Sequence, residues 1–285
     1  MRTTSFLLVF SLLWHGCIQL FAVRTMGGVL EHGLEAFQEE SDLELAESGL
    51  ASNLKLIEAL IKADPENERL LFIASQGYSA YGLAFAEDED PARARLMYLR
   101  AKAYGMRILD ENTKFRASRD GDLQNFTKAL QTFSKDDIPA VFWTAFAWGS
   151  YVNLSRTETA ALADIPKVNA MMEFVLQHDP AYYYAGAHVY FGTLLGSTPV
   201  LLGGKPEAAK EHFQKALELT GGKFLMTYVY YARSYAVQTQ DQELFESLLA
   251  KVDSASIDIL PEARLPNAVA KKKALALRAR VNELF

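Results

Sequence analysis

The stretch that decides the fold is PAVFWTAFAWGSYVNL at positions 139–154. It holds two tryptophans, Trp143 and Trp148, among other aromatic and small residues, and it carries no charge. A helix at the surface of a globular protein shows one apolar stripe and one polar face. Here apolar residues surround nearly the whole circumference. The pattern therefore predicts a helix that contacts protein or ligand on almost every side.

The chain beyond residue 25 has the same helical period almost throughout. Apolar residues recur at spacings of three and four, as in the segment 50–61, and no segment sustains the alternation of a strand. Boundary signals separate the helical segments, such as Asp64 before Pro65 and Gly221 before Gly222. The sequence therefore predicts an all-α protein.

Pairs of these segments carry the spacing of degenerate tetratricopeptide-like hairpins. In such a unit, the second helix has a large residue between two smaller ones. The sets with this spacing are Asn53, Ile57 and Leu60; Ala94, Tyr98 and Ala101; Val168, Met172 and Val175; and Ala209, Phe213 and Ala216. Sets with the aromatic-led spacing of the first helix are Trp143, Phe146, Ala147 and Ser150; Tyr183, Gly186, Ala187 and Tyr190; and Tyr228, Tyr231, Ala232 and Tyr235. Insertions at 111–135 and 191–204 make the array uneven, so we expect a compact body rather than an open superhelix.

The first residues predict export and an anchor. One basic residue precedes the apolar run FLLVFSLLW at 6–14, which is the order of a secretory signal. His15, Gly16 and then Cys17, the single cysteine, come next, and a lone cysteine at this place indicates acylation, as in a bacterial lipoprotein. Trp14 and His15 stand where the usual lipidation motif has an aliphatic and a small residue. An uncleaved apolar anchor and ordinary cleavage are the alternatives to lipidation.

Composition and length limit the partners and the domain organisation. The formal net charge of −6 makes the chain a poor binder of nucleic acid or anionic lipid. Its only basic cluster, Lys271–Lys273, is expected on the solvated side of a terminal helix. We predict a signal peptide at 1–16, an N-terminal anchor and leading helix at 17–40, and a single all-helical tetratricopeptide-like domain at 41–285.

Long blocks of sequence carry a resemblance to a known family. They are SQGYSAYGLAF at 75–85, DIPAVFWTAFAWGSYVNLS at 137–155, DIPKVNAMMEFVLQHDPAYYYAGAHVYFGTLLGS at 164–197 and GGKPEAAKEHFQKALELTGGKFLMTYVYYARSYAVQTQDQELFESLLAKV at 203–252. In the order and separation of these blocks, the mature region resembles the T-component family of TRAP transporters, the TatT lipoproteins.

The resemblance implies a location and a set of partners. It implies a periplasmic lipoprotein of cryptic tetratricopeptide units, held through Cys17 at the membrane, with the outer membrane of a Gram-negative-type bacterium as the expected site. It also implies association with the substrate-binding P-component and an internal apolar pore or cleft for a hydrophobic or lipid-like ligand. A homotrimer is the oligomeric state that the family suggests.

Aromatic residues on two successive predicted helices suggest where such a ligand would bind. The consecutive tyrosines at 182–184 would point in different directions on a helix, so some of them must face a cavity, the surface or a neighbouring subunit. Tyrosine and tryptophan suit a ligand site because each offers a large apolar face and one polar contact. Interior packing is the alternative for each residue. The residues predicted to bind the ligand are Trp148, Tyr151, Tyr184, Tyr190, Phe191, Leu195, Tyr228 and Tyr231.

The two tryptophans receive different predicted roles. Residues five apart on a helix point about 140° away from each other. Trp143 holds the position that packs between the two helices of its own unit, whereas Trp148 lies next to Gly149, where space is available. We therefore expect Trp143 to be structural and Trp148 to face the apolar cavity.

The sequence has no motif of catalysis or metal binding. No HExxH, GxSxG, GxGxxG or Walker pattern is present. His188 and His212 fall on the two helices of one predicted unit, but two histidines without a placed carboxylate indicate packing rather than a metal site. The sequence therefore predicts no enzyme and no cofactor.

Two classes of function remain after these exclusions. The first is a ligand-binding accessory of a solute transporter, which needs an enclosed apolar cavity. The alternative is an envelope scaffold that presents a groove to a protein partner without a small ligand. Tyr, Trp, Ala and Gly on the inner helices favour the first class, because grooves for extended peptides are usually lined with Asn, Lys and Arg.

Overall fold

Helices joined by turns and short loops make up residues 32–285, the part of the chain that the computed structural model describes. The predicted signal peptide at 1–16 and Cys17 lie outside the described residues. Within this part, residues 32–38 are helical and no strand occurs. The helices are α1 (Leu43–Ala63), α2 (Glu68–Tyr81), α3 (Pro91–Leu109), α4 (Thr113–Ser118), α5 (Leu123–Leu130), α6 (Ile138–Asn153), α7 (Thr159–Leu162), α8 (Ile165–His178), α9 (Tyr182–Ser197), α10 (Pro206–Thr220), α11 (Met226–Tyr230), α12 (Gln242–Ser254), α13 (Arg264–Ala279) and α14 (Val281–Leu284). The predicted all-α class is confirmed.

Two helices change their winding where they approach the centre of the molecule. A π-helical turn, Gly82–Ala86, continues α2, and a second one, Tyr231–Ala236, continues α11. Such wide turns are rare in α-helices and often occur at functional sites. Both contribute residues to the cavity described below.

Sequence signals for helix ends act as expected. The Asp42 side chain accepts hydrogen bonds from the backbone N–H groups of Glu44 and Leu45 at the start of α1. At the end of α10, Gly221 adopts the left-handed conformation, with φ 58°. These caps explain why the helix boundaries could be read from the sequence.

Neighbouring helices meet where a large residue covers a small one. Tyr98, Met172 and Phe213, the large members of three predicted frames, are all buried. A Cβ atom placed on Gly192 of α9 would lie 3.0 Å from ring carbons of Phe213 on α10, so the glycine allows the close approach. Whether these helix pairs are tetratricopeptide units stays a prediction.

The last long helix returns to the first. Along the chain α1 packs on α2, α2 on α3, α3 on α6 and α6 on α8, while α9 packs on α10 and on the second π turn. Near the C-terminus α13 packs on α12 and also on α1. Leu50 and Leu54 of α1 share one buried cluster with Leu265 and Val269 of α13. The expected compact body is therefore confirmed, and it encloses a space between its inner helices.

The beginning of α9 differs from the regular helix predicted for the tyrosine run. Tyr183, Tyr184 and Ala185 have φ values of 42°, 56° and 59°, in the left-handed region that residues with a Cβ rarely adopt. Tertiary packing overrides the local preference here. The Tyr183 ring lies 4.5 Å from that of Trp143, and the Tyr184 ring stacks on Phe224 at 4.5 Å, measured between ring centroids.

Candidate functional site: an apolar cavity

A cavity of about 480 Å³ lies among the inner helices, between α6, α9 and α13. Its volume falls within the range of roughly 300–1,000 Å³ that small-molecule sites occupy. The wall is mostly apolar. Its aromatic and aliphatic members include Leu50, Leu83, Phe85, Phe142, Trp143, Phe146, Ile165, Val168, Val189, Phe224, Met226, Leu265 and Val269.

One face of α6 forms the aromatic wall of the cavity. Trp143, Phe146, Ser150 and Asn153 follow one another at spacings of three and four, and all of them line the space. The Trp143 ring is 5.5 Å from that of Phe146, in an edge-to-face arrangement. Continued beyond the helix, the same spacing reaches Arg156, which also lines the cavity.

A buried ion pair forms one polar part of the wall. Glu87, at the end of the first π turn, is buried and accepts a hydrogen bond of 2.7 Å from the Tyr98 hydroxyl. It also lies 3.1 Å from the Arg233 guanidinium, and Asp88 is 3.9 Å from the same group. Burial alone would lower the pKa of Arg233, but these two carboxylates more than offset it and raise that pKa. The positive charge of Arg233 is therefore balanced by carboxylates within the protein.

Arg156 forms a second polar part with different partners. Its Nε and Nη2 atoms donate to Asn153 Oδ1 at 3.0 and 2.6 Å, and Nη2 also donates to Ser197 Oγ at 3.0 Å. Arg156 is exposed to solvent at the cavity opening, yet desolvation by the surrounding protein, and then the nearby positive charge of Arg233, lower its pKa. Both acceptors are neutral side chains. The positive charge of Arg156 is therefore not balanced by a carboxylate, whereas that of Arg233 is.

One buried hydroxyl in the wall has no acceptor. Thr193 of α9 lines the cavity, and its Oγ1 atom is buried without a hydrogen-bond partner among the described residues. Buried polar groups are normally paired, because leaving one unpaired costs about 1–3 kcal/mol. A ligand or water in the cavity could supply the missing partner.

The two tryptophans of α6 have different surroundings, and Trp143, not Trp148, is the one in the cavity wall. Trp143 lines the cavity, whereas Trp148 lies on another side of the helix, buried, with its indole Nε1 donating to Asp164 Oδ2 at 2.7 Å. The Lys102 ammonium lies 3.6 Å from the centre of the Trp148 ring. Tyr151, also predicted to bind the ligand, lies under a guanidinium of α3 and does not line the cavity. The position occupied by Trp143, expected from the sequence to pack between two helices, faces the cavity.

Among the predicted residues of α9, Tyr190 is the one in the cavity wall. Its hydroxyl donates to Asn169 Oδ1 at 2.7 Å, and burial raises its pKa. Phe191 is turned away and stacks on the His212 ring at 5.4 Å. Leu195 packs against the two large core clusters.

The remaining predicted residues lie in the core around the cavity and not in its wall. Tyr184 stacks on Phe224. Tyr231 is buried and stacks on Phe213 with ring centroids 4.7 Å apart. Tyr228 is half-buried against the main core cluster. Contact of these residues with a ligand in this cavity would require them to move.

His188 and His212 do approach each other, as the sequence suggested. Their Nδ1 atoms are 2.9 Å apart. Burial and then the facing His212 lower the pKa of His188 to about 4, and burial lowers that of His212. In the described part of the chain, no group of three or more His, Cys, Asp or Glu side chains is arranged to hold a metal ion.

The two arginines of the cavity were missed by the sequence analysis, although a signal was present. Arg233 is the only charged residue in the segment 224–240, and Arg156 is the first charged residue after the long neutral segment 138–155. A single charge within or directly after an apolar helix indicates a buried or functional position.

An all-helical body around an aromatic-walled cavity is the class of protein that these features define. The family model for the TRAP transporter T-component matches residues 39–285, and the chain therefore belongs to that family. The resemblance seen in the sequence is thereby confirmed. A comparison with curated proteins found no match.

Family membership gives the protein a part in a TRAP transporter, in association with other components of that system. The family is one of transporter components and not of enzymes. Among the helices of residues 32–285, none is both long enough and apolar enough to span a bilayer.

Proposed function

We propose that this protein is a periplasmic T-component that binds a hydrophobic ligand in the cavity between α6, α9 and α13 and acts together with the substrate-binding P-component. The observation that carries the proposal is the cavity of about 480 Å³ with its aromatic wall. A compact fold normally fills its interior at close packing, so an apolar space of this size is costly when empty. Binding of an apolar ligand would recover that cost.

The rim of the cavity supports docking of the P-component. Val200, Leu201 and Leu202 are 66%, 98% and 77% exposed, and Leu202 also belongs to the cavity wall. Exposed contiguous aliphatic side chains often mark interaction sites. A partner bound at this turn would cover the exposed residues and would lie directly at the opening, where a ligand could pass between the two proteins.

The remaining parts of the proposal concern location and assembly. Residues 1–16 act as the signal peptide, Cys17 carries the lipid anchor at the outer membrane, and residues 17–40 connect it to a single domain at 41–285. The lone cysteine after the apolar run supports this arrangement. We also propose the homotrimer that the family resemblance suggests.

Filling the cavity tests whether it binds an apolar ligand. Val189 of α9 lines the cavity, so Val189→Trp places a large ring in the space. We expect the variant to weaken binding of the uncharged apolar dye Nile red about tenfold or more, measured by fluorescence titration. Leu56→Trp, at an exposed position of α1 outside the cavity wall, is the matched control and should bind the dye as the wild type does.

The scaffold alternative gives the opposite result. A protein that only presents a surface to partners would bind the dye weakly and equally in the wild type and in both variants. That outcome, with both variants folded by circular dichroism, would contradict the proposed ligand-binding function.

A further inference from the structure

The two arginines of the cavity wall differ in how their charge is balanced. Arg233 has the Glu87 carboxylate at 3.1 Å and Asp88 at 3.9 Å. Arg156 has no carboxylate within 4.0 Å among the described residues. The C-terminal ends of α6 and α9 lie nearby and provide only the partial negative charge of helix carbonyls. The cavity therefore holds one cation without a counter-ion.

Hydrogen bonds to two neutral side chains fix the orientation of the Arg156 guanidinium and leave some of its N–H donors without an acceptor. Asn153 holds Nε and Nη2, and Ser197 holds Nη2 from the other side. A guanidinium has five N–H groups in a planar fork. The Nη1 atom donates to no described residue, so one edge of an oriented guanidinium stays available for two hydrogen bonds.

The surroundings of Arg156 make an anion favourable. The surrounding protein and the charge of Arg233 both lower the pKa of Arg156, although its side chain is exposed to solvent. The guanidinium stays protonated, so a negative group in the cavity would supply the counter-ion that water and its two neutral acceptors do not. Carboxylate and phosphate oxygens match the fork of a guanidinium in two parallel hydrogen bonds.

We propose that Arg156 binds the anionic head group, a carboxylate or a phosphate, of an amphiphile whose apolar chain occupies the cavity. The inference rests on the proposed function, because it uses the same cavity. The unpartnered Thr193 hydroxyl supplies a further polar contact in the wall. The ligand class is thereby narrowed from any hydrophobic compound to a single-chain anionic amphiphile.

Ligands with the same twelve-carbon chain and different head groups test the proposal. Dodecanoate and dodecyl phosphate, each below its micellar concentration, and 1-dodecanol, below its solubility limit, compete with Nile red at pH 8. We expect the better of the two anions to bind the wild type about tenfold or more tightly than the alcohol, which is the range for hydrogen bonds to charged groups. Tighter binding of dodecanoate would identify a carboxylate ligand, and tighter binding of dodecyl phosphate a phosphate ligand.

Variants of Arg156 distinguish the contribution of the ligand's head group to the affinity from that of its apolar chain. Arg156→Gln should abolish the preference for the anion and keep the wild-type affinity for 1-dodecanol, which also verifies the fold. Arg156→Lys should retain part of the preference, because it keeps the charge and loses the fork. Arg280→Gln, at an exposed arginine outside the cavity wall, should behave as the wild type.

The failures of the two proposals are distinguishable. Equal binding of anions and alcohol by the wild type, or an unchanged preference in Arg156→Gln, would overturn the head-group site and leave the apolar site standing. Failure of Nile red and of all three chains to bind would overturn the proposed function, and the head-group site with it.

Discussion

Trp143 and Trp148 lie five residues apart on α6 and face different surroundings. Trp143 contacts Phe146 and Tyr183 at the cavity wall, while Trp148 is fixed by Asp164 and Lys102 outside it. The sequence predicted that the two indoles diverge, because the angle between them follows from helix geometry alone. It could not predict which one faces the cavity, since that depends on where the neighbouring helices pack.

Contact quenching distinguishes the two indoles directly. A bromine atom quenches a tryptophan only when the two touch, so 12-bromo-1-dodecanol bound in the cavity should quench Trp143 and spare Trp148. We expect the quenching seen in the wild type to be largely lost in Trp143→Phe and retained in Trp148→Phe. Retention of the quenching in Trp143→Phe would show that the chain binds elsewhere.

At the scale of elements, α9 has the least regular backbone of the long helices. Its left-handed first turn, Tyr183–Ala185, orients the two tyrosines, and Gly186 directly after the turn lies against the ring of Phe142 from α6. A strained turn of this kind persists only where the surrounding packing holds it. The sequence showed the tyrosines and the glycine but not the turn, because tertiary contacts and not local preference stabilise it.

A methyl group at Gly186 tests this packing. A Cβ atom at that position would lie 2.5 Å from Cζ of Phe142, too close for the rings to remain in place. We expect Gly186→Ala to lower the free energy of unfolding by about 1–3 kcal/mol, the usual cost of overpacking, in urea denaturation. Gly33→Ala, at a helical position with no neighbouring atom within 4 Å, should cost nothing or stabilise slightly. Equal effects at both sites would refute the close approach.

The contact of α9 with α10 should depend on pH through His188 and His212. The folded state lowers the pKa of His188 to about 4 from its ordinary value of 6.5, so the unfolded chain binds more protons between these values. Stability should therefore fall as the pH decreases from about 6.5 to about 4. Glu211 and Lys215 of α10 also interact with this pair.

Replacement of His188 should flatten this dependence. Urea denaturation of the wild type and of His188→Asn at pH 7 and pH 5 compares the two proteins under the same conditions. Carboxylates titrate in both, so the difference between the slopes isolates the histidine pair. Parallel slopes would mean that folding does not change the pKa of His188.

At the scale of the whole molecule, the return of α13 to α1 converts a series of helix pairs into a compact body with a cavity that opens to the surface. The helical class and many helix ends could be predicted, because hydrophobic period, caps and glycines act locally. The cavity could not, since its wall combines Leu50, Phe146, Val189 and Val269, which lie far apart in the chain. Most of the residues predicted to bind the ligand are aromatic core residues beside the cavity. The sequence shows which residues are aromatic but not how distant helices come together around the space.

Solvent extraction of natively purified protein, followed by mass spectrometry, measures the central claim most directly. The protein is isolated from its own host without detergent, as wild type and as the cavity-filled Val189→Trp variant. We expect one ligand with an apolar chain, close to one molecule per protein chain in the wild type and strongly depleted in the variant, where the ring occupies its place. No bound compound in the wild type, or the same amount in both proteins, would contradict it.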